Sequence, residues 1–149
     1  MNIETTSIHV GRDIESAAGD VAPAMHLSTT YQRDADGEFS RGYSYARANN
    51  PGRTALEQCI GALEGGAEAI AYAPGSAASL AVFSVLRPGD HVIAPIEAYH
   101  GTATQLRQIL APMDVQCSFV DMTRTDAVRA AFVPQTKLVW IETPANPTW

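Results

Sequence analysis

The sequence predicts an α/β fold in which an extended N-terminal arm precedes the first part of a mostly parallel, helix-flanked sheet. Four short apolar runs recur roughly every 23 residues, and each is typical of a buried strand. Segments with helical spacing of apolar residues separate these runs, and such alternation is typical of βαβ units. The first 50 residues contain only short extended runs among polar residues, which indicates an arm that lies on another surface.

Local signals place the individual elements. Asn50 is a good N-cap and Pro51 a good first helical residue, so a helix of about 13 residues begins here and ends before Gly65. The predicted strands are residues 69–72, 91–94, 117–120 and 138–141. The predicted later helices are residues 76–86, 102–110 and 125–131.

Composition excludes several classes of protein. The net charge of -6 and the pI near 5.0 argue against binding to nucleic acid or to an anionic membrane. No apolar stretch reaches the roughly 18 residues of a membrane span, and the N-terminus does not resemble a secretory signal. Cys59 and Cys117 lie far apart in apolar runs, which favours buried free thiols in a reducing cytoplasm over a disulfide or a metal site.

The segments that follow the predicted strands are the places to look for a ligand, because ligands of parallel sheets bind beyond the carboxyl ends of the strands. Residues 73–78 form a small-residue turn that leads directly into a helix. We expect the backbone N–H groups of Gly75, Ser76 and Ala77 to be free at the positive end of that helix, where they could hold a phosphate. Close packing of the helix on the sheet would also explain the small residues.

Two further loops carry candidate binding residues. Tyr99 follows the second predicted strand, where its ring could stack on a flat ligand, although simple packing is the alternative. Asn146 lies between two prolines that would fix the direction of its amide, and a capped turn is the alternative.

Several stretches, taken in order, resemble the N-terminal part of the Cys/Met metabolism pyridoxal-phosphate enzymes, which include cystathionine γ-synthase, cystathionine lyases, methionine γ-lyase and O-acetylhomoserine sulfhydrylase. The matching residues are 7–11 (SIHVG), 27–31 (LSTTY), 45–47 (YAR), 50–51 (NP), 63–66 (LEGG), 88–90 (PGD) and 142–147 (ETPANP), together with Gly75, Ala77-Ala78, Tyr99 and Gly101-Thr102. Each stretch is weak evidence alone, but their common order along the chain is specific. The resemblance implies an aspartate-aminotransferase-like fold and pyridoxal 5'-phosphate as cofactor.

The resemblance also implies a role for the arm, residues 1–50. In this family a Tyr-x-Arg pair reaches across a dimer interface and grips the cofactor phosphate of the neighbouring subunit, which implies that role for Tyr45 and Arg47. A guanidinium offers paired donors to phosphate oxygens, and a phenol adds another donor. We expect both side chains on one face of an extended segment.

The remaining family roles map onto the loops already singled out. Gly75 and Ser76 match the positions whose N–H groups hold the phosphate. Tyr99 matches the tyrosine that stacks on the pyridine ring near the reacting atoms, so it is also the candidate catalytic residue. Asn146 matches the asparagine bonded to the phenolic oxygen of the cofactor. For Glu142, a supporting role at the site and a purely structural role are both open.

The family's catalytic lysine and its pyridine-pairing aspartate lie downstream of the Asn-Pro segment. The only lysine here is Lys137, at the N-terminal end of its predicted strand and away from the expected site, so we expect it to be structural. Residues 51–149 then correspond to an incomplete cofactor-binding domain, and the chain alone is expected to be inactive.

The expected parent is a cytoplasmic homo-oligomer, a dimer of dimers, that performs β- or γ-elimination or replacement on sulfur amino acids or activated homoserine. A non-catalytic cofactor-binding or phosphate-binding assembly module is the alternative. A nucleotide-binding Rossmann-like domain is disfavoured because the glycine fingerprint is missing.

Overall fold

The computed structural model describes residues 1–12 and 19–146. The chain divides into two compact units, Met1–Ala71 and Tyr72–Trp149. Among the described residues, no helix combines the length and the apolar character needed to cross a membrane.

The first unit begins with a short helix, α1 (Ile3–His9), within the residues that the sequence predicted to form an arm with only short extended runs. Its N-cap is Asn2, whose side chain accepts a hydrogen bond from the Thr5 N–H, and Glu4 lies in the first turn. These capping and charge effects stabilise a helix that buries no residue, which is why apolar periodicity did not reveal it.

The second helix, α2 (Pro51–Glu64), confirms the prediction. The Asn50 side chain accepts hydrogen bonds from the N–H groups of Gly52 and Arg53, at 2.9 and 3.4 Å. Gly65 ends the helix in the left-handed region, with φ of 65°, as a C-terminal glycine commonly does.

The same asparagine connects this helix to the arm. The Nδ2 group of Asn50 donates to the His26 carbonyl and to the Tyr31 hydroxyl, both at 3.3 Å. The Tyr31 ring in turn packs against the ring of Tyr43, with 5.5 Å between centroids. One amide therefore caps α2 and holds two parts of the arm beside its first turn.

The predicted strand at residues 69–72 is wrong. Ile70 is 71% exposed, and no backbone ladder within the described residues includes this segment. Its Ala71 N–H donates instead to the carboxylate of Glu57, at 2.9 Å. An apolar run favours a strand only where a neighbouring strand offers its edge, and here none of the described strands does.

The second unit contains a three-stranded parallel sheet in the order β2-β1-β3. Its strands are β1 (His91–Pro95), β2 (Gln116–Val120) and β3 (Thr136–Val139). The central strand β1 is buried along its whole length. The first two strands agree with the prediction, whereas β3 begins two residues earlier and ends before Trp140, so residues 140–141 belong to the segment that follows it.

The helices of this unit are α3 (Gly75–Phe83), α4 (His100–Thr104) and α5 (Thr125–Ala130). A π-helical segment (Gln105–Leu110) and a short 3-10 turn (Ala111–Met113) continue α4. The predicted helix at 102–110 is therefore α-helical only in its first three residues, 102–104. The predicted helix at 76–86 ends early, at Phe83, because residues 84–86 already turn toward Pro88.

The core of the second unit lies between the sheet and these helices. Its buried side chains are Phe83, Val92, Ala94, Leu106, Leu110 and Val115. Trp140 packs on the ring of Phe83, with 5.0 Å between centroids. The residue after β3 is thus fixed against α3.

His91 ties the three strands together at their N-terminal end. The ring is buried, and its two nitrogens lie 2.9 Å from the hydroxyls of Thr136 and Ser118. Both cysteines are free thiols, as predicted, although they are partly rather than fully buried. Burial, opposed by the charge of Arg107, raises the pKa of Cys117 to about 11, so this thiol is unreactive at neutral pH.

Candidate functional site

The start of α3 presents two free backbone donors. Pro74 occupies the N-cap and supplies no capping side chain. The prediction of three free N–H groups is wrong for Ala77, which donates to the Pro74 carbonyl at 3.0 Å. The N–H groups of Gly75 and Ser76 have no acceptor within the described part of the chain. Such groups, at the positive end of a helix dipole, attract anions.

These donors border an open cleft of about 510 Å³. Its lining comes from the start of α3, from the segment after β1 and from the segment after β3: Pro74, Gly75, Ser76, Ser79, Tyr99, Thr102, Trp140 and Glu142. A Cβ atom built on Gly75 would meet nothing within 4 Å, so the space above this residue is open. The cleft lies where ligands of parallel sheets are expected, at the carboxyl ends of the strands.

Tyr99 stands at the edge of this cleft as the N-cap of α4. Its side chain is 51% exposed, so a large part of the ring faces solvent. A Cβ atom on Gly101 would lie 2.6 Å from Cε1 of Tyr99, closer than side-chain atoms approach. Glycine at position 101 therefore makes room for the ring in this orientation.

Glu142 fixes the backbone beside that ring. Its Oε2 atom accepts the Tyr99 N–H at 2.7 Å, and its Oε1 atom accepts the indole N–H of Trp140 at 2.8 Å. Burial opposes ionisation, but the hydrogen bonds from Trp140, Tyr99 and the Thr102 hydroxyl outweigh it, so the pKa of Glu142 lies below its ordinary value. The two bonds join the segments that follow β1 and β3 beside the cleft.

Asn146 is not brought into this cleft. It is exposed, follows a cis Thr143–Pro144 peptide, and is absent from the residues that line the cleft. Its role toward a cofactor stays a prediction.

Tyr45 and Arg47 belong to the first unit and lie side by side. Nη2 of Arg47 is 3.4 Å from the Tyr45 hydroxyl, and its guanidinium is 5.0 Å from the ring centroid. Both side chains are exposed, so their donors face solvent.

The extended segment predicted for this pair is wrong beyond Tyr45. Tyr45 forms an antiparallel bridge with Thr30, but its carbonyl then accepts the N–H groups of Ala48 and Asn49 in a turn. The turn, rather than alternation along a strand, places the two side chains together.

Arg53 supports this turn, and sequence reasoning missed it. Its guanidinium donates to the carbonyls of Arg47 and Ala48 and lies 3.7 Å from the Glu57 carboxylate. One signal in the sequence was available: an arginine in the first turn of α2 is unfavourable toward the helix dipole, which indicates that its side chain makes a specific contact.

Comparison with known proteins identifies the family. Residues 4–149 match the family described as Cys/Met metabolism PLP-dependent enzyme. The chain belongs to this family. Its predicted cofactor, pyridoxal 5'-phosphate, is the family's cofactor, and the relatives support none of the other classes of protein considered from the sequence.

Individual relatives cover almost all of this chain. Human cystathionine gamma-lyase is 41% identical over 145 residues, which are 97% of this chain and 36% of that enzyme. A probable cystathionine gamma-synthase from Herpetosiphon aurantiacus is 40% identical over 143 residues, covering 96% of this chain and 44% of the relative. The chain therefore spans less than half the length of either relative.

A solved structure supports the fold. The crystal structure of a cystathione gamma lyase, CalE6 from Micromonospora echinospora, matches with a TM-score of 0.88 and 38% identity, covering 99% of this chain and 38% of that one. Together with the parallel sheet and its flanking helices, this match is consistent with the predicted aspartate-aminotransferase-like fold of this PLP-dependent family.

The cleft fits pyridoxal 5'-phosphate in its chemistry. Two unpaired N–H groups at a helix start suit a phosphate dianion, and an exposed tyrosine ring suits a flat pyridine. Glu142, the carboxylate of the cleft, already accepts hydrogen bonds on both oxygens, and Gly75 leaves the approach open.

Replacing Glu142 by glutamine should destabilise the fold by about 1 to 2 kcal/mol at pH 7. The NH2 group of the new side chain would face either the Tyr99 N–H or the Trp140 indole N–H, and two donors cannot form a hydrogen bond. A carboxyl whose pKa is lowered by folding stabilises the protein above its ordinary pKa of 4.5 and loses that contribution as the pH falls through the lower, folded value. The difference between wild type and Glu142→Gln should therefore shrink on acidification, as measured by denaturant unfolding between about pH 3 and pH 7.

Glu97→Gln is the matched control. Glu97 is an exposed acid of the segment after β1, and its side chain has no hydrogen-bond partner among the described residues. The Glu97→Gln substitution should change the free energy of unfolding little at any pH. A destabilisation by Glu142→Gln that is equal at both ends of the pH range would refute the role of the Glu142 charge.

Proposed function

We propose that the chain forms the front part of a PLP-dependent lyase or transferase that acts on sulfur amino acids or activated homoserine by β- or γ-elimination or γ-replacement. The observation that carries this proposal is the pair of free N–H groups of Gly75 and Ser76 in a cleft bordered by the exposed ring of Tyr99. The names of the relatives, cystathionine gamma-lyase and gamma-synthase, support the reaction class.

Each candidate residue has a distinct task toward the cofactor. Gly75 and Ser76 would donate their N–H groups to the phosphate, and Tyr99 would stack on the pyridine ring. Asn146, which lies outside the cleft in this structure, would bond the phenolic oxygen, a role taken from the family resemblance. When bound, pyridoxal 5'-phosphate supplies an electron sink for a carbanion on the amino-acid substrate.

Tyr45 and Arg47 grip the phosphate bound by a partner subunit. Their exposure and their shared orientation leave the guanidinium and phenol donors available to an anion outside their own unit. Met25 and Leu27 of the arm are almost fully exposed, which suits an arm that docks on another subunit. We place the complete enzyme in the cytoplasm as a dimer of dimers.

Lys137 does not take part in the chemistry. In β3 it is the extra residue of a bulge, because His91 pairs with Thr136 and Val92 with Leu138. This bulge lies at the N-terminal ends of the parallel strands, whereas the cleft lies at their carboxyl ends. Lys137 is the only lysine of the sequence, so the chain alone has no amine at the cleft to hold the cofactor aldehyde.

The trans contact of Arg47 can be tested by complementation in the complete enzyme, assayed for keto acid released from sulfur amino acids. Arg47→Ala should weaken cofactor binding by about 1.5 to 3 kcal/mol, the range of a charge-assisted hydrogen bond. Tyr99→Ala should disable the site of its own subunit. At a cofactor concentration that leaves Arg47→Ala homodimers largely unoccupied, both variants should be inactive alone. Their mixed dimers should recover one working site, because the subunit with intact Tyr99 receives Arg47 from its partner.

Arg41→Ala is the control, because Arg41 is an exposed arginine of the same arm whose ion pair with Asp34 is local. It should remain active without complementation. Mixed dimers as inactive as their parents would show that Arg47 acts within its own subunit. A wild-type enzyme that binds the cofactor and forms no elimination or replacement product from any sulfur amino acid or activated homoserine would refute the reaction class.

The chain alone should bind the cofactor only reversibly. Borohydride reduction after incubation with pyridoxal 5'-phosphate fixes a cofactor attached to an amine, and peptide mapping locates it. We expect no stoichiometric label on Lys137 and no turnover, because this side chain lies at the wrong end of its strand. Stoichiometric labelling of Lys137 together with elimination activity would overturn its structural assignment.

A further inference from the structure

Gln105 is a buried amide behind the start of α3. The residue is 9% exposed, and its Nε2 group donates to the Ser76 carbonyl at 2.7 Å. A carbonyl only accepts, so this bond fixes which end of the amide faces α3. The other end, Oε1, is buried without a hydrogen-bond partner in the described part of the chain.

Packing does not explain a glutamine at this position. An apolar side chain of similar size would fill the same space without burying an unpaired oxygen, which is unfavourable. The orphaned Oε1 atom therefore indicates that Gln105 is there for the bond made by its Nε2 group.

The backbone holds this amide in a fixed place. Gln105 is the first residue of the π-helical segment, and π-helical turns occur frequently at functional sites. Leu106 and Leu110 of the same segment are buried in the core, so the segment is anchored by packing.

Within the described part of the chain, the first turn of α3 receives no other side-chain hydrogen bond from a different element. Pro74 gives α3 no capping side chain, and the Ser79 hydroxyl bond to the Gly75 carbonyl lies within the helix itself. Among the described residues, Gln105 makes the one side-chain hydrogen bond that reaches the first turn of α3 from another element.

We propose that Gln105 is a positioning residue for phosphate binding: its bond to the Ser76 carbonyl anchors the first turn of α3 and so keeps the N–H groups of Gly75 and Ser76 in place. This inference rests on the proposed function, because the phosphate is that of the proposed cofactor. Gln105 acts through the backbone of α3 and does not itself contact the ligand.

The test compares pyridoxal 5'-phosphate with pyridoxal, which lacks the phosphate, by titration of the 149-residue protein. Gln105→Met keeps the size of the side chain and removes its donor. It should weaken binding of pyridoxal 5'-phosphate by about three- to tenfold, the loss expected for one neutral hydrogen bond, and leave pyridoxal binding unchanged. The melting temperature should hold or rise, because the unpaired oxygen is removed.

Gln108→Met is the matched control, since Gln108 is an exposed glutamine of the same π-helical segment. It should bind both ligands as the wild type does. Gln105→Glu is a second variant, which replaces the donor by a carboxylate that faces the Ser76 carbonyl. It should weaken binding of pyridoxal 5'-phosphate by more than Gln105→Met does. If Gln105→Glu does not fold, the comparison of Gln105→Met with Gln108→Met tests the role of Gln105.

The outcomes separate this inference from the proposed function. A wild type that binds the two ligands equally would overturn the phosphate site and the role of Gln105 with it. A wild type that prefers pyridoxal 5'-phosphate, with Gln105 variants that keep the full preference, would overturn only the role of Gln105. Equal weakening of both ligands by Gln105→Met would also overturn it, because a general structural role would affect both.

Discussion

The site depends on one constraint: the first turn of α3 begins at a proline that cannot cap it, and two backbone N–H groups have no partner among the residues that the structure describes. Unpaired donors at a helix start are stabilised by an anion. Their usefulness depends on direction, since a phosphate oxygen must meet both at hydrogen-bond distance. The surrounding residues hold this turn and shape the cleft in front of it.

Glu142 extends this arrangement to the other side of the cleft. Trp140 packs on Phe83 at the end of α3 and donates to Glu142, which in turn accepts the N–H of Tyr99. The parallel order of the strands makes this link possible, because the segments after β1 and β3 leave the sheet at the same edge. The ring of Tyr99 is therefore placed by the same packing that anchors α3.

The sequence predicted what local signals determine. Asn50 and Gly65 marked the ends of α2. The strands β1 and β2 could be predicted from the apolar composition of their own residues. Residues 69–72 carry a similar apolar run but form no strand, because strand formation also requires a partner edge. Tyr99 was found from its place after β1. Gly75 and Ser76 were found from a small-residue turn before a helix, although the strand predicted ahead of that turn does not form. The contact of Gln105 with Ser76 joins residues 29 positions apart and leaves no local signal.

The phosphate site is tested most directly by a proton–nitrogen correlation spectrum of the ¹⁵N-labelled protein, titrated with pyridoxal 5'-phosphate and, separately, with pyridoxal. We expect the amide resonances of Gly75 and Ser76 to shift saturably with pyridoxal 5'-phosphate and to stay in place with pyridoxal. Equal shifts with both ligands, or unmoved Gly75 and Ser76 resonances while pyridoxal 5'-phosphate binds elsewhere, would contradict the phosphate site.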